Sequence, residues 1–438
     1  VSLIHAEPVE RSTWDVSYSG GPDTAPPLPP GLPVRDYQPV IVPNGAALPF
    51  RIVNGVKVFH LIAEEILHEF APGLKAHCWG YNGHVNSTVI EAVEGERVRI
   101  YVTNHLPAPT TVHWHGIFLP NGMDGVGGLN QSLIGVGETF VYEFTLRQHG
   151  TLMFHSHHDE MTQMALGLIG LFVIHPRQPV YRVDKDFALM LSEWKIDPGA
   201  ARPDPAEMND FNILTFNGKC FPGTAPLICQ LGDKVRIRLG NLSVMDHHPI
   251  HLHGFYFRIT ATDGGPIPVA ARWPETSVLV AAGQTRDIEF SADAPGDWAM
   301  HCHMIHHLMN QMGHGLPNMV GVDTAGLEAQ VAALLPDAMI MGSDGMSSMA
   351  EMSMPSPANS IATTLGQGPF GPIMMGGMFT IVKVRPKTQG QQDPGWYRAP
   401  SGTLARVAKQ TELNRDGVNP GKPPQRTTPL GHQHHHRK

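Results

Sequence analysis

Short runs of alternating apolar and polar residues fill the chain between residues 51 and 178. Apolar residues recur at every second position in these runs, and Gly, Pro and Asn separate one run from the next. A period of two is typical of strands that bury one face, so the pattern predicts an antiparallel β-domain. The runs are RIVNGVKVFHLIAEE, STVIEAVEGERVRIYVTN, TFVYEFTL, TLMFHSH and LIGLFVIHP.

A second series of such runs begins near residue 186 and includes DFALMLSEWKI, DKVRIRLGNL and SVLVAAGQTRDIEFSA. Each series ends with a turn and then a strand that carries a His-x-His pair, HGTLMFHSH in the first and PGDWAMHCH in the second. This weak internal repeat predicts two related β-sandwiches, over residues 51–178 and 179–325.

The flanks of these two domains differ from them in composition. Residues 1–50 are rich in proline and predict an extended arm over the surface. Residues 326–438 begin with a short helical run, GLEAQVAALL, and then become rich in methionine. An apparent strand and a polar tail follow, so we interpret this region as an extension outside the two sandwiches.

Composition agrees with an all-β fold and excludes some functions. The 438 residues are ample for a large core, and only 16% are charged, while 46 are Gly and 39 are Pro. The net charge of -8 argues against a general nucleic-acid surface. No run of about 20 apolar residues occurs, so no membrane span is expected. The chain begins at Val1 without Met, which we interpret as a mature form of an exported protein.

The string HCHMIHHLMNQM, from His301 to Met312, carries the most informative chemistry. Cys302, His307 and Met312 supply a thiolate, an imidazole and a weak thioether, which are ligands of an electron-transfer copper. On a strand, His301 and His303 point to the opposite face from Cys302. A cysteine bound to one metal would then adjoin two imidazoles that bind another.

Further histidines complete a second donor set. HWHG, FHSHH and HPIHLHG contain three more His-x-His pairs, and each pair on an extended segment directs both imidazoles to one face. Any single histidine is more often a solvated or satisfied core residue, but four pairs beside one cysteine-bearing string are not explained in that way. Together they offer the number of nitrogen donors that a cluster of three metal ions needs.

Taken together, HWHG, HSH, HPIHLHG and HCHMIHHLMNQM resemble the four copper motifs of the multicopper oxidases, the family of laccases and cuprous oxidases. The resemblance implies cupredoxin domains and four coppers per chain. It assigns the type 1 copper to His248, Cys302, His307 and axial Met312, and the type 2 copper to His113 and His251. It assigns the type 3 coppers to His115, His155 and His303, and to His157, His253 and His301.

The resemblance also implies an activity. Such enzymes take single electrons from Cu(I) or from phenolic or amine donors and reduce dioxygen to water with four electrons. Two alternatives remain at this point, a copper nitrite reductase-like enzyme and a copper-sequestering protein without turnover. Nitrite reductases need only a mononuclear catalytic site, so the eight cluster histidines count against the first alternative.

The spacing of the motifs favours the two-domain branch of the family. Only 90 residues separate His157 from His248, which leaves no room for a third complete sandwich. The first domain has Ser156 where the second has Cys302, so one type 1 site is expected. In two-domain relatives the cluster lies at the subunit interfaces of a homotrimer, where rings of identical interfaces close. We therefore expect a periplasmic or secreted homotrimer.

Several residues outside the ligand set carry further expectations. The resemblance makes Asp124 a candidate for proton transfer to reduced oxygen, against the alternative of a turn-forming Asp-Gly pair. Leu308 stands where some cuprous oxidases have a second acid; Asp159 and Glu160 could take the place of that acid, but a solvated role is expected for both. Cys220 and Cys229 either pair as a disulfide or remain free thiols, and Cys78 is expected to be free.

The methionine-rich extension leaves two interpretations open. Thioethers suit Cu(I), so the extension is either a cuprous-ion site or guide near the type 1 copper, or a loop whose methionines fill gaps. The residues concerned are Met339, Met341, Met346, Met349, Met352, Met354, Met374, Met375 and Met378.

Overall fold

A computed structural model of the chain describes residues 26–311, 358–362 and 366–421, together with the single residues 326, 330, 333 and 334. Strands dominate the described residues, and they build two sandwiches, as the alternation of apolar and polar residues predicted. Two short helices, α1 (Glu160–Gln163) and α2 (Gln410–Arg415), are present in these ranges. No helix among the described residues is long and apolar enough to cross a bilayer.

The first sandwich packs two sheets face to face. One sheet has the strand order β1-β5-β9-β8, and the other has the order β2-β3-β6-β7, with β4 paired to β3. The strands are β1 (Ala46–Ala47), β2 (Phe50–Val53), β3 (Val56–Ala71), β4 (Leu74–Tyr81), β5 (Thr88–Val93), β6 (Arg97–Asn104), β7 (Thr139–Thr145), β8 (Gly150–His155) and β9 (Ile169–His175). In β6, Val98, Ile100 and Val102 are buried while Tyr101 is exposed, which is the period of two in the sequence.

The second sandwich also has two sheets. One has the order β11-β10-β13-β19-β15-β16, with β17 on β15, and the other has the order β12-β23-β20-β14-β18. Its strands are β10 (Lys185–Trp194), β11 (Ile213–Phe216), β12 (Leu227–Gln230), β13 (Lys234–Asn241), β14 (His248–Leu252), β15 (Phe257–Thr262), β16 (Gly265–Pro266), β17 (Pro274–Glu275), β18 (Ser277–Val280), β19 (Gln284–Ser291), β20 (Gly296–Cys302) and β23 (Phe379–Arg385). Strands β21 (Gly366–Gly368) and β22 (Gly371–Ile373) form a separate hairpin.

Two strands from outside the predicted ranges 51–178 and 179–325 pair with strands of the sandwiches. Strand β1, from the predicted arm, pairs in parallel with β5 of the first sandwich. Strand β23, from the predicted extension, lies between β12 and β20 in the second sandwich. Alternation of apolar and polar residues predicts that a segment is a strand. It does not identify the strand with which that segment pairs, because the partner lies far away in the sequence.

The two sandwiches meet across a mixed apolar and charged interface. Buried apolar residues from β5, β8 and β9 pack against Ala188 and Met190 of β10. At the same interface Arg238, whose side chain is 3% exposed, forms a bidentate ion pair with Asp186 and contacts Asp287. It also donates to Thr151 Oγ1 of β8 at 2.8 Å, so one buried cation joins both sandwiches.

All four cysteines of the chain lie within the described residues. Cys78, Cys220, Cys229 and Cys302 are all buried free thiols, so the expected free Cys78 is found and Cys220 and Cys229 do not form a disulfide. The described residues 397–421 belong to a second compact unit. Within it, the Lys409 backbone N–H donates to the Glu412 carboxylate at the start of helix α2, and Arg406 pairs with Glu412.

A second buried pair lies beside this interface. Glu91 accepts hydrogen bonds from His175 Nε2 at 2.8 Å and from the Val40 backbone at 3.0 Å. Burial is the main cause that raises the pKa of Glu91 from 4.5 to about 7. The folded protein therefore holds an extra proton between pH 4.5 and 7, and this group's contribution to stability is lost as the pH rises through that range.

We expect the substitution Glu91→Gln to remove this dependence, because the amide keeps an acceptor oxygen without a titratable proton. The variant should match the wild type at pH 5 and exceed it at pH 8 by up to about 3 kcal/mol. Unfolding of both proteins, followed from pH 5 to pH 8, measures the difference. A difference that is constant over this range would contradict the expectation.

Candidate metal centres

A buried group of one sulfur and two nitrogens lies at one end of the second sandwich. Strands β14 and β20 pair in antiparallel fashion with Ile250 opposite Cys302, and a 3₁₀ helix (Ile305–Leu308) follows β20. Cys302 Sγ is 3.4 Å from His307 Nδ1 and 3.8 Å from His248 Nδ1, and these two nitrogens are 3.2 Å apart. All three residues are buried, so their ligand atoms converge on one position that is shielded from solvent.

The outer nitrogens of these two imidazoles are occupied by the protein. His248 Nε2 is 2.7 Å from Ser243 Oγ, and His307 Nε2 is 3.4 Å from Asp246 Oδ2. Asp246 is held in turn because its backbone N–H donates to Glu193. Contacts of this kind fix the tautomer of each ring and leave the lone pair of its Nδ1 free to bind a metal.

Burial sets the protonation of the group before any metal binds. It lowers the pKa of His248 to about 3, so this imidazole is neutral and has a free lone pair. It raises the pKa of Cys302 to about 12, so the sulfur carries a proton that a bound metal must displace. Two imidazoles and one thiolate are the equatorial ligands of an electron-transfer copper. Met312, the predicted axial ligand, lies outside the described residues.

A buried amide braces the loop that carries His307. Asn310 Nδ2 donates to the Phe221 carbonyl at 3.0 Å, and Asn310 Oδ1 accepts from the Gly377 backbone at 2.8 Å. The backbones of Met378 and His307 bond at 3.0 Å, and Met378 also accepts from the Cys302 backbone. A Cβ at Gly377 would lie 2.1 Å from the His307 carbonyl oxygen, so this close approach needs glycine.

The first sandwich carries a group of four histidines. His113 bridges His155 at the end of β8 through backbone hydrogen bonds, and His115 and His157 flank them. The ring centroids of neighbouring members lie 5.3 to 5.9 Å apart. His115 Nδ1 and His155 Nε2 are 3.4 Å apart, so these two nitrogens point to a common position. We call His113, His115, His155 and His157 the first quartet.

A matching group lies on the second sandwich. His301 and His303 flank Cys302 and point away from the sulfur, as alternation predicted, and they contact His251 and His253. His253 Nε2 and His301 Nε2 are 3.1 Å apart. We call His251, His253, His301 and His303 the second quartet. Within the described residues, which include all eight rings, no ring contact joins the two quartets.

Four of the eight quartet imidazoles are oriented by backbone carbonyls that contact Nδ1. Each of these contacts uses one ring nitrogen and leaves the other free for a metal. The four Nδ1 contacts run from His113 to Asp124 O, from His155 to Ser156 O, from His251 to Thr276 O and from His301 to Cys302 O, at 2.7 to 2.8 Å. Burial lowers the pKa of His155 to about 3, which keeps that donor neutral.

Asp124 lies beside the first quartet. Its Oδ1 is 3.4 Å from His113 Nδ1, and Asn130 Nδ2 donates to its Oδ2 at 3.2 Å. A surface cavity of about 340 Å³ opens on it, lined by Ile117, Phe118, Leu119, Asn121 and Asp124. The predicted proton-transfer residue is therefore both oriented and open to solvent.

Two residues at these sites were not identified from the sequence. They are Ser243 and Asp246, although Asp246 stands two positions before His248. Glu160 is exposed, as expected, and its Oε1 also lies 2.7 Å from His157 Nδ1, a contact that was not predicted. The signal for Glu160 was its spacing of three residues from His157, which brings two side chains together if a helical turn follows.

Comparisons with known proteins agree on one family. Residues 63–179 match one sequence model described as multicopper oxidase, and residues 197–321 match a second with the same description. Together the two matches cover more than half of the chain. The structure is similar to the blue copper oxidase from Nitrosomonas europaea, with a TM-score of 0.56, 25% identity, and coverage of 78% of this chain and 91% of that one. It is equally similar to the multicopper oxidase mgLAC, with a TM-score of 0.56, 25% identity, and coverage of 80% and 91%.

Sequence relatives carry related names. Copper resistance protein A of Pseudomonas syringae pv. tomato is 26% identical over 337 residues, which are 64% of this chain and 52% of the relative. Laccase-1 of Botryotinia fuckeliana is 33% identical over 239 residues, which are 51% of this chain and 41% of the relative. The chain thus spans about half the length of these relatives.

We expect Asn310→Ala to destabilise the cysteine-containing site. The truncation leaves the Phe221 carbonyl and the Gly377 N–H without their partner in a buried place, which costs on the order of 2 kcal/mol. Denaturant unfolding should show this loss, and the affinity of the His248–Cys302–His307 site for copper should fall with it. The exposed Asn209→Ala serves as the matched control and should leave both quantities unchanged. An Asn310→Ala protein with wild-type stability would contradict this role for the amide.

Proposed function

Because this chain belongs to the multicopper oxidase family, we propose that it couples one-electron oxidation of a small reductant to four-electron reduction of dioxygen to water. The observation that carries the proposal is the arrangement along β20. Cys302 Sγ faces His248 and His307. The adjacent His301 and His303 face His251 and His253, the other members of the second quartet. One peptide segment therefore links an electron-entry site to a cluster of imidazoles.

The proposed ligands follow the family assignment, and the geometry supports it. The type 1 copper takes His248, Cys302 and His307, with Met312 as the axial ligand, and the type 2 copper takes His113 and His251. The type 3 positions take His115, His155 and His303, and His157, His253 and His301. The close nitrogen pairs His115–His155 and His253–His301 each fall within one of these sets. Bound copper would supply one-electron redox chemistry at each position, so that the copper at Cys302 and the three coppers at the quartets would together hold the four electrons that dioxygen needs.

The protein's own residues prepare these sites. The neutral His155 and His248 offer lone pairs without losing a proton, whereas Cys302 gives up its thiol proton when it becomes a ligand. Asp124 Oδ1 stands beside His113 and faces the solvent cavity, so it can pass protons toward reduced oxygen. Asn130 holds the other carboxylate oxygen and keeps Asp124 in this orientation.

The proposed site at which a reductant gives up its electron lies at the outer edge of His307. Its Nε2 is turned toward Asp246, whose side chain is 35% exposed, so a reductant reaches the imidazole next to a carboxylate. Cu(I) and phenolic or amine donors are the proposed reductants. The methionines 339 to 354, which suggested Cu(I) in the sequence, lie outside the described residues.

We further propose that the active form is a homotrimer. Each quartet supplies only half of the cluster ligands, and no ring contact joins the two halves within the described residues of one chain. His253 and His303 are exposed, so the second quartet opens toward a surface. A first quartet from one subunit that covers a second quartet from the next would complete each cluster, and a ring of three such contacts closes. An exported, periplasmic location would suit such copper chemistry.

The two alternatives from the sequence find less support. A nitrite reductase-like enzyme has no use for two complete quartets beside the cysteine-containing site. A copper-sequestering protein has no need of a direct path from Cys302 to His301 and His303.

Cys302→Ser tests the electron-entry step. The wild-type protein should bind about four coppers per chain, show an intense thiolate-to-copper absorption band and consume oxygen with a phenolic donor. The variant should lose the band, about one copper and essentially all oxygen uptake, while the quartets keep their metal. Oxygen consumption at the wild-type rate by the variant would refute the proposed route, and a colourless wild-type protein would refute the type 1 assignment.

Leu279→Arg tests the shared cluster. Leu279 is 53% exposed on β18, on the same strand face as Ser277, whose hydroxyl is 2.9 Å from His251 Nδ1. A charge there should convert the trimer to monomers in sedimentation and remove the cluster coppers, while the thiolate band persists. Val141→Arg, on the outer sheet of the first sandwich, is the control and should remain trimeric. A wild-type monomer that holds a full set of coppers would overturn the proposal.

A further inference from the structure

His157 is held differently from the other oriented histidines of the two quartets. Backbone carbonyls accept from Nδ1 of His113, His155, His251 and His301, and the Gly283 carbonyl accepts from the ring of His115. Nδ1 of His157 instead faces a side chain, with Glu160 Oε1 at 2.7 Å. A backbone carbonyl stays in place whatever the side chain, so among these six described contacts the one at His157 alone depends entirely on a side chain.

The backbone around Glu160 is well fixed. Asp159 adopts a left-handed conformation, with φ of 46°, and its carbonyl accepts from the backbones of Thr162 and Gln163. Gln163, at the end of α1, is buried and bonds to Thr110, Ser156 and the Pro109 carbonyl at 2.6 to 2.8 Å. Helix α1 is thus anchored to the first sandwich. Glu160 is its first residue and lies three positions after His157, within contact of the His157 ring.

The carboxylate has a definite chemical effect on this imidazole. A neutral imidazole has one N–H, and a carboxylate at Nδ1 favours the tautomer that carries the proton there. Nε2 is then free, and the ring packs against His113 and His155 with centroids 5.4 and 5.9 Å apart. A carboxylate acceptor also makes the imidazole a more basic ligand than a carbonyl does.

We propose that Glu160 is a positioning residue that fixes His157 as the Nδ1–H tautomer and thereby keeps Nε2, beside His113 and His155, free to bind a metal. The inference rests on the proposed function, because it takes His157 as a type 3 ligand. Its consequence is that the two type 3 positions are inequivalent. The position of His115 and His155 is oriented by backbone carbonyls, whereas the position of His157 depends on a removable acid.

Three variants of the full-length copper-loaded protein test this. Glu160→Leu removes the acceptor, Glu160→Gln keeps an acceptor oxygen without the charge, and Asp159→Asn changes the neighbouring exposed acid while suiting its left-handed backbone. Copper per chain is measured at graded copper concentrations, with the thiolate-to-copper band of the Cys302 site as the internal reference. Thermal unfolding of the copper-free variants shows that each is folded.

The expected result is specific to one position. Glu160→Leu should weaken one cluster copper by about 10- to 100-fold while the Cys302 band is retained, and Glu160→Gln should restore most of the affinity. Asp159→Asn should match the wild type. Copper binding in Glu160→Leu equal to that of the wild type would overturn the inference, as would a loss in Glu160→Gln as large as that in Glu160→Leu. The wild-type copper content and oxygen uptake test the proposed function separately, since they do not involve Glu160.

Discussion

The antiparallel pairing of β14 with β20 is the constraint on which both metal centres depend. Ile250 stands opposite Cys302 and His251 opposite His301, so successive residues of each strand alternate between the core and the outer face. Cys302 is thereby placed with His248 and His307 inside the sandwich, and His301 with His251 and His253 outside it. A slip of one residue would exchange these faces and destroy both sites together.

The second sandwich also acts on the first quartet. Arg238 and Asp287 both bond to Thr151, four residues before His155 on β8, and Thr285 bonds to the Thr151 carbonyl. A buried arginine is costly unless it is fully paired, and here two aspartates and a hydroxyl satisfy it. The ring of His115 meets the nearby Gly283 carbonyl. The interface within one chain therefore sets the orientation of a quartet whose partner quartet does not contact it.

Local spacing explains what could be predicted from the sequence. Alternation identified the two sandwiches, and the His-x-His pairs together with Cys302 identified the residues that the structure brings into one buried site and two quartets. The pairing of strand β23 with β12 and β20 could not be predicted, because these partners lie far away in the sequence. Asn310, which bonds to residues 89 and 67 positions away, could not be inferred for the same reason. The contact of Glu160 with His157 was not predicted, because the expected exposure of an acid does not reveal whether a histidine lies within reach.

The protonation of the donors gives the two kinds of site different relations to pH. His155 and His248 are kept neutral by burial, and the backbone carbonyls turn the N–H groups of several other imidazoles away from the metal positions. Metal binding at the quartets then displaces few protons from the ligand nitrogens. The thiol of Cys302, with its pKa raised to about 12, must release a proton for the metal. Loading of the Cys302 site is therefore coupled to proton release, whereas in the proposed trimer loading of the quartets would depend chiefly on whether two half-sites meet.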